Sequence, residues 1–299
     1  MIPLEILALT LPLLGAVLPW LLRRQHTLRN GCTVLLSMAL LATVIQLLPA
    51  ALQGESSTED NSVVLGSIAP GLDFMLEVDA LGLIFALVAS SLWILNSIYS
   101  VGYMYRLYGA DFEGQERYWS CFALAILAAM GIAFSGNLLT LFLFYELMTF
   151  STWPLITHHR SAASKRSGRI YLFILVGSST LLLLTAIVWT WVLTGTVRFE
   201  AGGILADSAS PTQISLLILL FFFGTAKTAI FPFHQWLPNA MVAPTPVSAL
   251  LHAVAVVKAG VFTVLKLSTM VIGPAAMQAS WGAEVVAWFA AGTILLTSV

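Results

Sequence analysis

Charged side chains inside long apolar stretches are the residues of this sequence best suited to chemistry. Glu146 lies about ten residues into the stretch NLLTLFLFYELMTFSTWPLI, and Lys227 lies in the stretch FFFGTAKTAIFPFHQWLP. A charged side chain at the centre of a bilayer costs about 2.5 to 3.5 kcal/mol on insertion scales, so it usually faces a protein interior or a water-filled cavity. At about 1.5 Å per helical residue, Glu146 is predicted to lie near mid-depth. Buried acids and bases of this kind are suited to moving protons, and a structural ion pair is the alternative.

Pro232 follows Lys227 closely and predicts a break or kink in the helix that carries this lysine. Broken helices at membrane depth are tolerated where they line cavities, and they recur at the ion sites of transporters. The pattern therefore predicts that Lys227 accepts and releases protons in a water-accessible neighbourhood. The alternative is that Pro232 ends the helix at the inner surface and that Lys227 extends its ammonium to the lipid headgroups there.

A second pair of candidates, His252 and Lys258, follows in the stretch NAMVAPTPVSALLHAVAVVKAGVF. Six residues correspond to about 240° around a helix and about 9 Å along it, a distance that one or two waters can bridge. Imidazole titrates near neutrality, so His252 is predicted to relay protons between Lys227 and Lys258, with a structural hydrogen-bonding role as the alternative. His234 follows the predicted break and is either a proton entrance or an interfacial residue. Lys266 is expected to extend towards the outer boundary of the membrane.

The composition places these candidates in a membrane protein. Hydrophobic residues make up 59% of the 299 residues and charged residues only 9%, whereas roughly a quarter of the residues of soluble domains are charged. A spanning helix needs about 20 mostly apolar residues. The sequence therefore predicts an all-α, polytopic helical membrane protein with about nine transmembrane helices, one of them discontinuous near Pro232. The predicted spans are residues 2–22, 31–52, 80–104, 118–135, 137–158, 170–194, 212–232, 246–270 and 284–299.

Other functional classes lack their sequence signals. Cys32 and Cys121 have neither a CxxC spacing nor ligand-type neighbours, which argues against a metal site or a disulfide framework. The sequence contains no glycine-rich phosphate loop, no paired-histidine haem arrangement and no catalytic triad, so no cofactor and no catalytic site are expected. The net charge of -1 and the lack of a basic stripe argue against nucleic acid as a partner.

The basic residues predict the orientation of the chain in the cell membrane. Lys and Arg accumulate in cytoplasmic loops, and nine of the thirteen fall in three predicted loops that alternate with the helix count. Because the intervening segment 53–79 is acidic and 195–211 contains only Arg198, the N-terminus is predicted to be external. The nine basic residues are Arg23, Arg24, Arg29, Arg106, Arg117, Arg160, Lys165, Arg166 and Arg169.

Three stretches of the sequence resemble a known family. LFLFYELMTFSTWPLITHH, GTAKTAIFPFHQWLPNAM and APTPVSALLHAVAVVKAGVF resemble the antiporter-like membrane subunits shared by Mrp-type sodium/proton antiporters, respiratory complex I and membrane-bound hydrogenases. The resemblance extends from about residue 70 to the end, and both D-type and A-type Mrp subunits fit it. It implies that Glu146 and Lys227 form an ion pair that modulates the lysine, and that His252 and Lys258 form the central relay.

The resemblance also implies a domain organisation. Members of the family usually carry about fourteen helices that include two inverted five-helix repeats. Residues 1–117 would then form transmembrane helices 1–3 with an acidic external loop, residues 118–270 the first repeat, and residues 271–299 the start of a truncated second repeat. The second repeat is expected to be missing from the chain or to be supplied by a separate polypeptide.

Three functional interpretations follow from these residues and from the resemblance. The leading one is a proton-translocating subunit of a multi-subunit Mrp-type cation/proton antiporter, with protons, Na⁺ or K⁺, other membrane subunits and the bilayer as partners. The main rival is a proton-pumping membrane-arm subunit of a complex I-like NADH:quinone oxidoreductase or a membrane-bound hydrogenase. The third, a scaffold that has lost transport, is disfavoured by the buried charges.

Overall fold

A computed structural model describes residues 3–49, 62–109, 112–206 and 208–298. These residues form a largely helical structure with one short hairpin. In chain order the elements are α1 Leu4–Leu21, α2 His26–Gln46, β1 Val63–Ala69, β2 Leu72–Leu76, α3 Ala80–Tyr108, α4 Gln115–Ala133, α5 Leu138–Ile156, α6 Ala162–Thr194, α7 Pro211–Gly224, α8 Trp236–Ala240, α9 Thr245–Ile272, α10 Pro274–Gln278 and α11 Trp281–Thr297.

Six of the described helices are long and apolar enough to cross a membrane, namely α1, α2, α3, α5, α6 and α9. The helices α7 and α11 are apolar but shorter. Helix α4 packs against α1, α3 and α5, and almost all of its residues are buried. The predicted polytopic helical membrane protein is thereby confirmed, while the count of nine spans stays a prediction.

The segment between α2 and α3, which was expected to be a loop, contains the hairpin. Strands β1 and β2 pair antiparallel, with Val63 opposite Leu76. Gly71 lies in the connection at φ 76°, a left-handed conformation that glycine adopts without steric cost. Sequence periodicity did not predict these strands because they are short and irregularly paired. The acidic residues Glu55, Glu59 and Asp60 of this segment lie outside the described residues.

The start of α5 is fixed against this hairpin. Asn137 caps the helix, because its side-chain oxygen accepts a hydrogen bond of 2.8 Å from the Thr140 backbone N–H. The Asn137 amide also donates to the backbone oxygen of Asp73. The backbone N–H of Gly136 donates to the Met75 oxygen at 3.0 Å. These bonds fix the start of α5 against the hairpin, and thereby the distance of its central residues from the hairpin.

The predicted discontinuity is present, and it begins well before Pro232. Helix α7 ends at Gly224, where a β-carbon would lie only 2.5 Å from the Leu183 backbone nitrogen in the π-helical part of α6. Glycine permits this close approach of the two helices. Beyond it the chain forms two single 3₁₀ turns, Ala226–Thr228 and Phe233–Gln235, joined by irregular backbone.

Helix α9 departs from regular α geometry in two places. Leu250–Val254 and Leu267–Ile272 are π-helical, and the backbone at Ala255 has φ -122° and ψ -71°. A π-helical turn holds more residues than an α turn. The direction of a side chain after Ala255 therefore differs from that on an ideal helix.

Arg29 was predicted to lie in a loop and instead lies within α2, where it is 3% exposed. Its Nη1 donates to Gln115 Oε1 at 2.7 Å, and its guanidinium lies 5.6 Å from the centre of the Trp119 ring. These partners on α4 compensate the burial of the charge. Helix α2 consequently begins earlier than the apolar run suggests.

Candidate functional site

Lys227 lies in the first 3₁₀ turn after α7, Ala226–Thr228, which we call the lysine turn, and its side chain is 0% exposed. Its Nζ donates to the backbone oxygen of Tyr145 at 2.8 Å and to Thr149 Oγ1 at 2.7 Å. Nζ also lies 3.2 Å from the centre of the Tyr145 ring. The ammonium is thus directed into the protein and does not extend to the headgroups.

The groups that contact this ammonium on α5 are neutral. A carbonyl oxygen, a hydroxyl oxygen and the face of an aromatic ring each stabilise a positive charge. A lysine amine that has released one proton still has two N–H donors. The carbonyl of Tyr145 and the hydroxyl of Thr149 therefore offer hydrogen bonds to both the charged and the neutral form of Lys227.

Glu146 follows Tyr145 on α5 and is half-buried. Both carboxylate oxygens are shielded from water, and within the described part of the chain neither has a hydrogen-bond partner. The structure contains no direct ion pair between Glu146 and Lys227, both of which are among the described residues. A shielded carboxylate without a partner is costly, and Glu146 is therefore an unsatisfied acid beside the residue that binds Lys227.

Two residues that sequence reasoning missed fix the lysine turn in place. Trp236, 0% exposed, donates from Nε1 to the Ala226 oxygen at 2.8 Å and packs edge-on against the Tyr171 ring. On the other side, Gly260 of α9 is so close that a β-carbon there would lie 2.6 Å from the Thr228 backbone nitrogen. A glycine inside an otherwise helical pattern is the sequence signal for such an approach.

His252 and Lys258 of α9 differ in their exposure. His252 is half-buried in the first π-helical segment, and its Nε2 atom is shielded without a partner among the described residues. Lys258 is exposed. It precedes Gly260 by two residues, about 200° around a helix, so it points away from the lysine turn. No hydrogen bond joins Lys227, His252 and Lys258 within the described residues.

His234 lies in the second 3₁₀ turn of the irregular segment that also contains Lys227. It is half-buried, its ring centre lies 5.7 Å from that of Phe231, and its Nδ1 atom is shielded without a partner in the described structure. Phe231, Pro232 and Gln235 around it are exposed. His234 is therefore located where the irregular segment reaches the surface of the chain.

The expectation that Lys266 extends to the membrane boundary is wrong. Lys266 is 1% exposed, its Nζ lies 2.7 Å from Asp79 Oδ2, and it donates to the Ser135 oxygen at 2.6 Å. Glu77 and Arg198 form a longer ion pair nearby at 3.6 Å, and burial raises the pKa of the Glu77 carboxyl despite the opposing effects of the two basic residues. Asp79 provides a partner that periodicity within α9 could not reveal.

Comparison with known families supports the resemblance seen in the three motifs. A family model described as "NADH:quinone oxidoreductase/Mrp antiporter, TM" matches residues 135–299, which contain all the predicted site residues. The A-type subunit of the Na⁺/H⁺ antiporter from Alkalihalophilus pseudofirmus is 31% identical over 274 residues, which are 88% of this chain and 32% of that protein. The chain spans a fifth to a third of the length of such curated relatives.

Two solved structures contain similar chains. One belongs to the Mrp complex from Dietzia sp. DQ12-45-1b, with a TM-score of 0.73 and 26% identity over 92% of this chain and 29% of that one. The other belongs to the membrane-bound sulfane sulfur reductase, an archaeal respiratory membrane complex, with a TM-score of 0.71 and 23% identity over 87% of this chain and 52% of that one. The second likeness is one of fold alone.

Proposed function

Because the chain belongs to the NADH:quinone oxidoreductase/Mrp antiporter transmembrane family, we propose that it is the proton-translocating part of a subunit of an Mrp-type monovalent cation/proton antiporter. The observation that carries the proposal is the fully buried Lys227, bound by neutral groups of α5 next to the unpartnered Glu146 carboxylate. The name of the Alkalihalophilus relative favours an A-type over a D-type subunit.

In the proposed mechanism, Lys227 takes up and releases the transported proton, and Glu146 controls when it does so. A carboxylate close to an ammonium stabilises the charged form. Movement of Glu146 away from Lys227 removes this stabilisation and favours release of the proton. The carbonyl of Tyr145 and the hydroxyl of Thr149 keep the amine in position in either state.

His234, His252 and Lys258 have proposed roles before and after this step. His234 would admit protons, because it lies where the irregular segment reaches the surface. His252 would receive the proton at its unpartnered Nε2 atom, with water covering the distance from Lys227. An exposed lysine within a span normally faces protein or water, so Lys258 would pass the proton to a group outside the described chain. The counter-ion would be Na⁺ or K⁺.

We also propose the finer organisation that the resemblance implies. Residues 118–270 would form the first five-helix repeat, after an N-terminal unit of residues 1–117 and before the start of a second repeat in 271–299. The chain would cross the cell membrane about nine times with an external N-terminus. The other membrane subunits of a hetero-oligomeric complex would be its partners.

A second candidate function is a proton-pumping subunit in the membrane arm of a complex I-like oxidoreductase or a membrane-bound hydrogenase. It is favoured by the family description, which includes NADH:quinone oxidoreductase, and by the fold shared with an archaeal respiratory complex. The residues would move protons in the same way, and only the driving reaction in the partner subunits would differ.

The two functions are distinguished by dissipation of a pH gradient in everted vesicles from cells that express the chain with its partner subunits. Added Na⁺ or K⁺ is compared with added redox substrate, and Glu146→Gln is compared with Glu284→Gln, which changes an exposed acid at the start of α11. Cation-dependent proton movement that Glu146→Gln abolishes and Glu284→Gln preserves would support the antiporter. Movement driven by redox substrate alone would support the second function, and an active Glu146→Gln variant would refute the role of this acid.

A further inference from the structure

A cavity of about 590 Å³ lies where the ends of α4, α5 and α6 meet, and none of the residues that contact Lys227 lines it. Among the described residues that line it, four carry a positive charge and none is acidic. The lining residues are Arg117, Trp153, Thr157, Arg160, Lys165 and Arg169.

The positive charge of this cavity is largely uncompensated within the described chain. Arg160 pairs with Glu113 at 2.6 Å, but both side chains are mostly exposed, and ion pairs of that kind contribute little. The Arg117 Nε atom is shielded from water and has no acceptor among the described residues. Lys165 and Arg169 form no ion pair in the described structure. The cavity therefore has cationic donors in excess, one of them without an acceptor.

The cavity lies at the level of the membrane surface, as the helices that form it indicate. Helix α5 ends at Ile156 and α6 begins at Ala162, and both are long and apolar enough to span a bilayer. The connection between them must lie near a headgroup region. Trp153, 39% exposed at the rim of the cavity, is the type of residue that is enriched at this level.

An aromatic surface continues from the cations towards the membrane interior. Lys165, Arg169 and Phe173 are spaced four residues apart along one side of α6, and Phe173 is 83% exposed. Phe150 lies about one turn below Trp153 on α5 and is 54% exposed. The surface thus has a charged end at the membrane boundary and an apolar end about one helical turn deeper.

Close packing of α5 and α6 forms the charged end of a groove between the two helices. A β-carbon at Gly168 of α6 would lie 2.9 Å from Trp153 Nε1. The absence of a side chain at this glycine brings the cations of α6 beside the tryptophan and Thr157 of α5. Guanidinium groups bind phosphate oxygens with paired hydrogen bonds, and lysine adds a point charge.

We propose that this groove binds an anionic phospholipid, with the phosphate of the headgroup between Arg117, Lys165 and Arg169 and an acyl chain along Phe150 and Phe173. Basic pockets between transmembrane helices at a membrane surface recognise anionic headgroups. The charged end fits a phosphate ester, which a lipid headgroup and a soluble phosphate compound have in common. The apolar end assigns the site to a lipid and not to soluble phosphate.

The test measures lipid binding to the purified complex in a mild detergent by native mass spectrometry. The ligands are cardiolipin, phosphatidylcholine and glycerol 3-phosphate. The unmodified protein is expected to bind cardiolipin at least about tenfold more tightly than phosphatidylcholine, because each cation near a membrane surface adds to the attraction for an anionic headgroup. Equal binding of the two lipids would overturn the proposal, as would glycerol 3-phosphate binding as tightly as cardiolipin.

Variants with matched controls locate the binding. Lys165→Gln combined with Arg169→Gln is expected to weaken cardiolipin binding by about tenfold or more. Arg166→Gln changes an exposed cation of the same helix that does not line the cavity, and Arg23→Gln with Arg24→Gln removes two exposed charges elsewhere. Both controls are expected to bind cardiolipin normally.

Phe173→Ala is expected to weaken the binding of cardiolipin without affecting the binding of glycerol 3-phosphate. Unchanged cardiolipin affinity in the Lys165 and Arg169 double variant would refute the site.

Discussion

Tyr145 contacts Lys227 through three parts of the same residue. The carbonyl oxygen of Tyr145 accepts from the lysine Nζ at 2.8 Å, its ring centre lies 3.2 Å from that atom, and its hydroxyl accepts from the lysine backbone N–H at 3.3 Å. Because Tyr145 directly precedes Glu146 in α5, a single residue connects the lysine turn to the acid. A change of the Glu146 side-chain rotamer would move the acid relative to a lysine that Tyr145 still binds.

Replacement of Thr149 by valine tests whether the neutral acceptors support proton transfer. Valine keeps the shape of threonine but removes Oγ1, which accepts from Lys227 at 2.7 Å. A hydrogen bond to a charged group contributes about 1.5 to 3 kcal/mol, so proton flux in vesicles is expected to fall by about tenfold to a hundredfold. Thr149→Ser retains the acceptor and is expected to transport nearly as fast as the original chain. Equal fluxes in the two variants would show that this hydrogen bond is dispensable.

Gly260 is expected to be necessary for the position of the lysine turn. A methyl group in Gly260→Ala would lie 2.6 Å from the Thr228 nitrogen and would push α9 and the turn apart. Overpacking of this kind costs about 1 to 3 kcal/mol, and proton flux should fall strongly as Lys227 is displaced. The measurements are the denaturant midpoint of the purified protein and the flux in vesicles.

The control for this substitution is Gly177→Ala in α6, where a β-carbon has nothing within 4 Å. There the higher helix propensity of alanine, worth about 1 kcal/mol, should leave stability equal or slightly higher. Normal flux in Gly260→Ala would mean that the lysine turn is not held by the approach of α9.

The sequence predicted the features that depend on local chemistry. Glu146 and Lys227 were identified because charges in apolar stretches are rare, and the motifs around them predicted the family that the comparison confirmed. The exposure of Lys258 was not predicted, because it depends on which side of α9 packs against the lysine turn. The role of Gly260 could not be predicted either, because it depends on the lysine turn that packs against this glycine.

Lys266 shows a second limit of sequence reasoning. Its partner Asp79 lies at the start of α3, far away in sequence, so no periodicity relates the two residues. A snorkelling lysine and an ion-paired lysine give the same local pattern near the end of a helix. Only the approach of the hairpin and α3 to the end of α9 distinguishes them.

The Asp79 and Lys266 pair is expected to stabilise the fold when both partners are present. Removal of one partner of a buried ion pair costs about 3 to 5 kcal/mol, because the other charge is left buried and uncompensated. Lys266→Met should therefore lower the free energy of unfolding by this amount. Asp79→Asn should do the same while keeping an oxygen that caps α3, which isolates the loss of charge from the loss of the cap.

The double variant Asp79→Asn with Lys266→Met completes this comparison. With neither charge left, it should be more stable than the sum of the single losses predicts, because pairs in direct contact are not additive. The measurement is equilibrium unfolding of all four proteins in the same detergent. Strict additivity would mean that the 2.7 Å contact contributes no coupling between the two residues.

His158, just beyond the end of α5, is expected to make the protein less stable in acid. Burial lowers the pKa of this imidazole from 6.5 to about 4, and the charges of His159, Arg117 and Arg160 act in the same direction. The unfolded chain therefore takes up a proton at a higher pH than the folded chain does. The stability that the neutral imidazole contributes is fully present above pH 6.5 and is lost as the pH falls to about 4.

Thermal unfolding midpoints measured between these pH values should fall less steeply in His158→Gln than in the original chain. His159→Gln, which changes the exposed neighbour, should retain most of the original slope, and identical slopes in His158→Gln and the original chain would contradict the prediction.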